Sequence, residues 1–594
     1  MVLKMKLNQK SYFSSWQEHP DVWIAGLAFV VRFWFLYKFS DSPFFEPIPG
    51  GNDRALYHGL AWQMAQGHFF PTGVFEHMPL YPWLLGLIYA IFGSEIHPGQ
   101  NLYVAGLFGM LVDTATVFLF VRLACSLGAP ASALWITGVL YALYPTAIIY
   151  SVQTMPNTLN AFLLVLFASV ALRLRSSGSK RSWWGAGLLA GVAALGFAGM
   201  LLIVIGCVVY WIWIRIQNSE FRIQNFLVFL SGVIMPIVPV TFHNWQTEHR
   251  FVLVTAHGGF NFYMGNHANA TGYPVQISEF RGESGSLLFD ARVEAEKAKG
   301  RKLTSAEVSA YWSQKAWNFI CENPLQELKL LGSKFLKFWN RSEYDDLRLL
   351  PMFRLTNTAF TSPFWPGFVW IGWLGFVGLI LSRRCDFLKV ITISGIVGVL
   401  CFFVTARYRL TFAPLLSVLG AIGLITIFGR AGVIADGNVN QRGRRLSLQN
   451  VLSLSIAGVI VWLPLPGSDS RALDHYNTAV YLLNLGKTEA ALEQAIKGVT
   501  LEPREANFFF VIGNANFQLG KIEEALAAYK TTIHLKPSHS YAHYNLALTW
   551  MRLSEFEKAM DEALLTLQYD PQHPRARALL DQIRKQTMEK SEPK

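Results

Sequence analysis

The sequence predicts an all-α polytopic membrane protein of about eleven transmembrane helices that ends in an α-solenoid. Of 594 residues, 52% are hydrophobic and only 15% charged, with a mean hydropathy of +0.29, which excludes an average soluble domain. Apolar stretches near the roughly 20 residues that cross a bilayer recur from Asp21 to Pro466, separated by short basic segments. Beyond "PLPGSDS" the pattern changes: Pro503, Pro537 and Pro571 stand 34 residues apart, as do Gly486, Gly520 and Ser554, and as do Ala491, Ala525 and Ala559.

The expected spans run over 21–39, 101–124, 131–150, 156–174, 184–199, 200–214, 226–242, 366–381, 389–405, 411–428 and 450–465. Lys4, Lys6 and Lys10 precede the first span, and no small-residue cleavage pattern closes it, so it reads as a retained helix. With a cytoplasmic N-terminus, the cytoplasmic loops hold Arg173, Arg175, Lys180 and Arg181; Arg215 and Arg222; Arg383, Arg384 and Lys389; and Arg430, Arg442, Arg444 and Arg445. Alternate loops such as "SVQTMP" hold none, as the positive-inside rule requires. The net charge of +12 thereby follows from membrane orientation, and no nucleic-acid partner is expected.

Residues 1–466 form the expected membrane domain, with outer loops 40–100 and 243–365; 467–471 is a linker, and 472–588 is the solenoid. Its 34-residue period and matching Gly, Ala and Pro positions are those of three tetratricopeptide repeats, with "RARALLDQIRKQ" as capping helix. The protein is expected in the cell (inner) membrane, multi-pass, with the repeats on the outer or periplasmic side.

Between the first two spans lies "GGNDRALYHGLAWQMAQGHFF", residues 50–70. Leu56, Leu60 and Met64 recur at helical spacing, which predicts an amphipathic helix along the membrane surface with "GGND" as its loop and cap. Asp53 there serves either as such a cap or as a reactive acid. "PLYPWLLGLIYAIFG", Pro79–Gly93, is apolar but short, and reads as an interfacial or re-entrant helix. Arg32 and Asp113 sit inside apolar spans, where an unpaired charge costs roughly 2.5 to 3.5 kcal/mol, so a structural tie between them is expected, with a donor-site role as the second reading. The five cysteines and the histidines at 243, 249, 257 and 267 show no disulfide framework and no metal-ligand spacing. Asn269 and Asn340 begin N-x-Ser/Thr sequons.

"NDRALYHGLAWQMAQG", "EHMPLYPWLLGLIYAIFG", "GGFNFYMGNHANATGY", "FLKFWNRSE" and "ARYRLTFAPLL", in that order, resemble successive landmarks of GT-C superfamily glycosyltransferases, of the protein O-mannosyltransferase and aminoarabinose transferase type. The resemblance covers residues 20 to 430. It implies inverting transfer of a sugar from a polyprenyl-phosphate donor to a hydroxyl, such as a protein Ser or Thr, on the non-cytoplasmic face. Asp53 matches the family's acid in the first outer loop, with the implied role of general base. Arg407 and Arg409 are the implied phosphate ligands, with membrane anchorage as their plain alternative. Glu76, His77, Tyr57 and His243 complete the implied donor site; Asn261, Asn266 and Glu343 mark an implied acceptor or loop site. Three positions depart from the family: Asn157 replaces a Glu after Met-Pro, Phe197 a basic residue, and His243 an Arg. The donor itself is the only small molecule implied; no resident cofactor is called for, and a divalent metal is left open.

The competing function is a non-catalytic scaffold working through its repeats, for which an acid at Asp53 has no use. In the enzyme reading the partners are the lipid donor and an acceptor protein bound by the repeats. A transporter fits less well, since the polar features gather at the outer surface and not at midplane.

Overall fold

The structure is a computed structural model that describes residues 18–42, 45, 53–92, 98–174, 179–217, 223–274, 287–345, 365–382, 385–428, 448–465, 471–570, 573 and 575–591. The regular elements among the described residues are helices, and these residues divide into two compact units, one over 18–345 and 365–465, the other over 471–591. The "GGN" of the expected cap, most of the linker, Lys4, Lys6, Lys10, and Arg175, Arg222, Arg383, Arg384, Arg430, Arg442, Arg444 and Arg445 lie outside the described residues.

In the larger unit the helices are α1 Pro20–Ser40, α2 Asp53–Ala65, α3 Leu80–Phe92, α4 Pro98–Ser126, α5 Ala131–Ala142, α6 Pro145–Ser151, α7 Asn157–Arg173, α8 Lys180–Ala194, α9 Gly199–Gln217 and α10 Ile223–Glu248. Four follow between α10 and the last group: α11 Gly258–Gly265, α12 Leu287–Lys299, α13 Ser305–Glu322 and α14 Pro324–Trp339. The unit closes with α15 Phe368–Leu381, α16 Asp386–Leu400, α17 Ala406–Leu410, α18 Ala413–Phe428 and α19 Leu448–Trp462.

Every expected span contains helix, but the count of about eleven does not hold. Among the described residues three helices are long and apolar enough to cross a membrane, Pro20–Ser40, Asn101–Ser126 and Ile223–Glu248, or four if α5 and α6, bent by 57°, act as one. The reason is length. A helix rises 1.5 Å per residue, so the 14 residues of α15 reach only about 21 Å against a hydrocarbon core of roughly 30 Å. Apolar composition continued past the points where Pro145, Pro156 and the "GFAGM" segment interrupt the backbone ladder.

Small residues let these helices approach. A Cβ added to Gly187 of α8 would lie 2.0 Å from the Phe229 carbonyl of α10, and one on Gly378 of α15 would lie 2.2 Å from that of Leu419 in α18. The expected intramembrane tie is present: Arg32 Nε donates to Asp113 Oδ2 at 2.5 Å, both side chains being buried. Arg32 Nη1 also donates to the carbonyls of Ala28 and Ala142, and Tyr141 donates to the second Asp113 oxygen, which joins α1, α4 and α5. Asn340, which begins a sequon, is fully buried, and its Nδ2 donates to the carbonyls of Val461 and Leu463 at the end of α19.

The smaller unit holds α20 Arg471–Asn484, α21 Thr488–Leu501, α22 Ala506–Gln518, α23 Ile522–Leu535, α24 Ser540–Arg552, α25 Phe556–Tyr569 and α26 Ala576–Ser591. The second helices of the three pairs begin at Thr488, Ile522 and Phe556, in strict 34-residue register. Each pair turns through a residue in the left-handed region: Gly486 at φ 73°, Gly520 at 76° and Ser554 at 61°. Ala547, Ala559 and Ala563 pack with Leu579, Leu580 and Ile583 of α26, so the last helix covers the end of the stack. One position pair differs in each repeat: His475 meets Gln494 at 2.8 Å, its second-repeat equivalents are Phe509 and Ala528, and in the third His543 Nδ1 meets Glu562 at 2.6 Å.

Candidate active site

Asp53 opens α2, whose buried stripe is Arg54, Tyr57, Ala61 and Met64. The expected stripe of Leu56, Leu60 and Met64 is thus rotated. α2 packs against α3 at Gly86, where a Cβ would stand 2.4 Å from that of Met64, and small Ala61 fits this close approach better than the flanking leucines do. Arg54 fixes the start of α2 by donating to the Phe45 carbonyl at 2.6 Å, while Thr154 donates to the carbonyl of Arg54. The Asp53 side chain stays 41% exposed.

Its partner comes from 354 residues away. Arg407 Nη1 donates to Asp53 Oδ2 at 2.6 Å. Arg407 lies on α17, a single turn capped by the Thr405 hydroxyl, with Ala406 N–H donating to the Tyr344 carbonyl at 2.7 Å. Asn157 donates to the Arg407 carbonyl at 3.1 Å. Burial pushes the Asp53 carboxyl up, but the charge and hydrogen bond of Arg407 outweigh it, and the acid rests below the usual carboxylate value.

Tyr57 stacks edge-on to His77 and Tyr81, and His77 meets His257 at 4.5 Å between ring centroids, nearly perpendicular. His257 caps α11, whose "GGFNFYMG" sequence is explained by docking: a Cβ on Gly259 would lie 1.9 Å from the Ser309 carbonyl of α13, and one on Gly265 2.1 Å from that of Phe402. Burial pushes both imidazoles down against the pull of Asp53, and His77 depresses His257 further, to about 3. With His257 neutral, its 3.8 Å approach to Glu76 is a polar contact; the cation near Glu76 is Arg292, at 3.6 Å. His257 immediately precedes the "GGFNFYMGNHANATGY" landmark, but nothing in the sequence marks it or Arg292 as a neighbour of "EHMPL"; the fold brings them there.

The two arginines of "ARYRL" have different surroundings. Arg409 is 1% exposed, and its guanidinium donates to the carbonyls of Asn340 at 2.7 Å, Ser342 at 3.1 Å, Phe338 at 3.3 Å and Lys337 at 3.4 Å. It thereby caps the carbonyl end of α14 and lies over the Phe368 ring at 4.2 Å. Glu343, 3.9 Å from Arg409, accepts from Tyr144, from Thr146 at 2.8 Å and from the Phe368 N–H at 2.9 Å. The bend between α5 and α6 presents Tyr144 and Thr146 together.

His243 lies apart from the ion pair, bonded to the Gly73 carbonyl at 3.1 Å and packed on Phe70 and Phe75. Asn261 is within α11, and its N–H donates to the His257 carbonyl. Asn266 is buried, donating to the carbonyls of Phe262 and Cys401 and accepting from Lys334 at 2.6 Å. Phe197 packs on Phe412. Among the described residues no group of three or more His, Cys, Asp or Glu is placed to hold a metal ion.

The family described as TPR repeat matches residues 513–554, from the middle of α22 through α24. The chain therefore carries a TPR repeat, a fold consistent with protein–protein interaction. No curated protein matches the chain.

Proposed function

We propose that the larger unit is an inverting glycosyltransferase that moves a sugar from a polyprenyl-phosphate donor to a hydroxyl acceptor at the non-cytoplasmic membrane face. The observation that supports it most is the Asp53–Arg407 contact, which joins a carboxylate and a cation from the two segments the family resemblance singles out. Asp53 takes the acceptor hydroxyl proton as that oxygen attacks the anomeric carbon; the bond from that carbon to the phosphate oxygen breaks, and the phosphate leaves with the electron pair. Arg407, beside Asp53, would be the partner that the growing negative charge needs. Asn157, Tyr344 and the Arg409 cap on α14 hold the turn that carries Arg407, so in this reading Arg409 and Glu343 position the site.

The repeats would bind the acceptor protein and raise its local concentration, provided they share a side with Asp53. Counted on the long helices alone, three crossings satisfy that condition and four do not. Impermeant thiol labelling of cysteines introduced into the repeats, on intact spheroplasts, tests it: protection until permeabilisation would remove the presentation idea. A scaffold acting through its repeats is the second reading, favoured by the TPR match. Purified protein in detergent, assayed against a panel of polyprenyl-phosphate sugars, separates the two. Release of lipid phosphate by the wild type and not by Asp53→Asn is expected; no release with any donor would leave the scaffold, and equal release by Asp53→Asn would remove Asp53 as the base.

A further inference from the structure

We propose that the Asp53–Arg407 ion pair is a resting-state latch, in which an incoming lipid phosphate takes the guanidinium and so frees the Asp53 carboxylate to accept the acceptor's proton. The inference rests on the glycosyl-transfer reading for its purpose, but its physical content concerns phosphate and this pair alone.

A carboxylate bonded at 2.6 Å to a guanidinium is a poor proton acceptor, because the same oxygen already receives a charge-assisted hydrogen bond. A general base needs the opposite, and its efficiency rises with its basicity. The surroundings confine the exchange to side chains. The backbone of α17 is held at Ala406 by Tyr344 and at Arg407 by Asn157, so Arg407 changes partner by side-chain rotation alone. Asp53 is 41% exposed and Arg407 12%, so a ligand reaches the pair from the Asp53 side.

Timing favours the exchange. A phosphodiester donor carries one negative charge, and its phosphate gains a second as the bond to the anomeric carbon breaks. Arg407 is therefore drawn most strongly to the phosphate during bond breaking, when the acceptor oxygen is releasing its proton. The other groups facing Asp53 do not replace Arg407. Burial pushes the His77 and His257 imidazoles down, and the Tyr57 hydroxyl is pushed up by burial and by Asp53 itself.

The test uses the full chain in mixed micelles with ¹³C-carboxyl aspartate. Infrared titration, with Asp53→Asn subtracted, reads the Asp53 midpoint with and without a short-chain polyprenyl phosphate. The expected result is a rise of about one pH unit on adding the lipid phosphate, a tenfold change in the ionisation equilibrium. In Arg407→Gln the midpoint should already be raised, and the lipid phosphate should move it far less. Phosphorus-31 spectra monitor binding in parallel, and should show a bound phosphate whose shift changes between wild type and Arg407→Gln even if Asp53→Asn fails to fold. An unmoved midpoint with lipid phosphate bound, an equal movement in Arg407→Gln, an unchanged phosphorus shift, or no binding at saturating lipid overturns the latch. Loss of the glycosyl-transfer reading, through absence of turnover with every donor, leaves the titration readable.

Discussion

Consider Asp113→Asn. Asp113 accepts from Arg32 at 2.5 Å and from Tyr141 at 2.9 Å, with Arg32 and Asp113 side chains 0% and 1% exposed. The substituted amide either accepts from Tyr141 and turns its NH2 toward Arg32 Nε, or offers a neutral oxygen to Arg32 and its NH2 to the Tyr141 hydroxyl. Either way a buried guanidinium loses its counter-charge and is left with neutral acceptors, among them the carbonyls of Ala28 and Ala142. Breaking one partner of a buried pair costs about 3 to 5 kcal/mol. Replacing both, as Arg32→Leu with Asp113→Leu, removes the uncompensated charge and leaves one orphaned hydroxyl on Tyr141, about 1 to 3 kcal/mol. The double variant should therefore be more stable than either single variant, and Tyr141→Phe added to it should recover further stability. Thermal unfolding in detergent, followed by tryptophan fluorescence and by loss of the monodisperse chromatographic peak, gives the ranking. A double variant whose loss equals the sum of the two single losses would refute the reasoning, since it would mean the charges do not depend on each other.

Arg407→Gln should leave thermal stability within about 1 kcal/mol of wild type, because its partly exposed pair contributes little. Arg409→Gln should lose about 2 to 3 kcal/mol with its buried, charge-assisted carbonyl contacts, and the same melts compare the two. In the repeats, Ser554→Gly should stabilise by about 0.5 kcal/mol, since φ 61° strains a residue with a Cβ. Gly498→Ala should instead destabilise by about 1 to 3 kcal/mol, because the new Cβ would lie 1.9 Å from Phe508 Cε1; chemical denaturation resolves both. Burial pulls His543 down, but Glu562 and the Pro537 carbonyl raise it above its ordinary value, so its contribution is full below about pH 6.5 and fades as pH rises through the raised value. His257, pushed down to about 3, acts oppositely: it stays neutral when folded, and stability falls as pH drops from about 6.5 toward 3. Melting across pH should show both slopes, each flattened by His543→Gln or His257→Gln.

The repeats were the most legible part of the chain, because a helix pair that must stack on a copy of itself keeps its turn residues and small packing residues at a fixed period. Arg32 and Asp113 were legible for a related reason: two charges in apolar surroundings have few ways to be tolerated. The span count was not, because mean hydropathy records what a stretch dissolves in and says nothing of where a proline ends its hydrogen-bond ladder, as at Pro145. At the candidate site, "NDR" and "ARYR" drew attention to Asp53 and Arg407, yet nothing in "ARYRL" distinguishes the arginine that meets Asp53 from the one that caps α14. That difference arises from a half-turn of helix and from the free carbonyls at 337–342, which the sequence carries only as backbone. His257 was hidden likewise, brought beside His77 by the docking of Gly259 on Ser309.

The burial of Asn340 bears on production of the protein in a host that attaches glycans to asparagine. Its amide nitrogen is engaged by Val461 and Leu463, residues synthesised 121 and 123 positions later. If that segment is on the glycosylating side, an oligosaccharyltransferase meets Asn340 before those carbonyls have left the ribosome, so the sugar arrives first and the end of α19 then has no seat. Occupancy at this sequon would thus record a race between modification and docking. Material from such a host would divide into a native fraction and a glycosylated fraction with a displaced helix, whereas Asn269, exposed on its loop, accepts a glycan without that consequence.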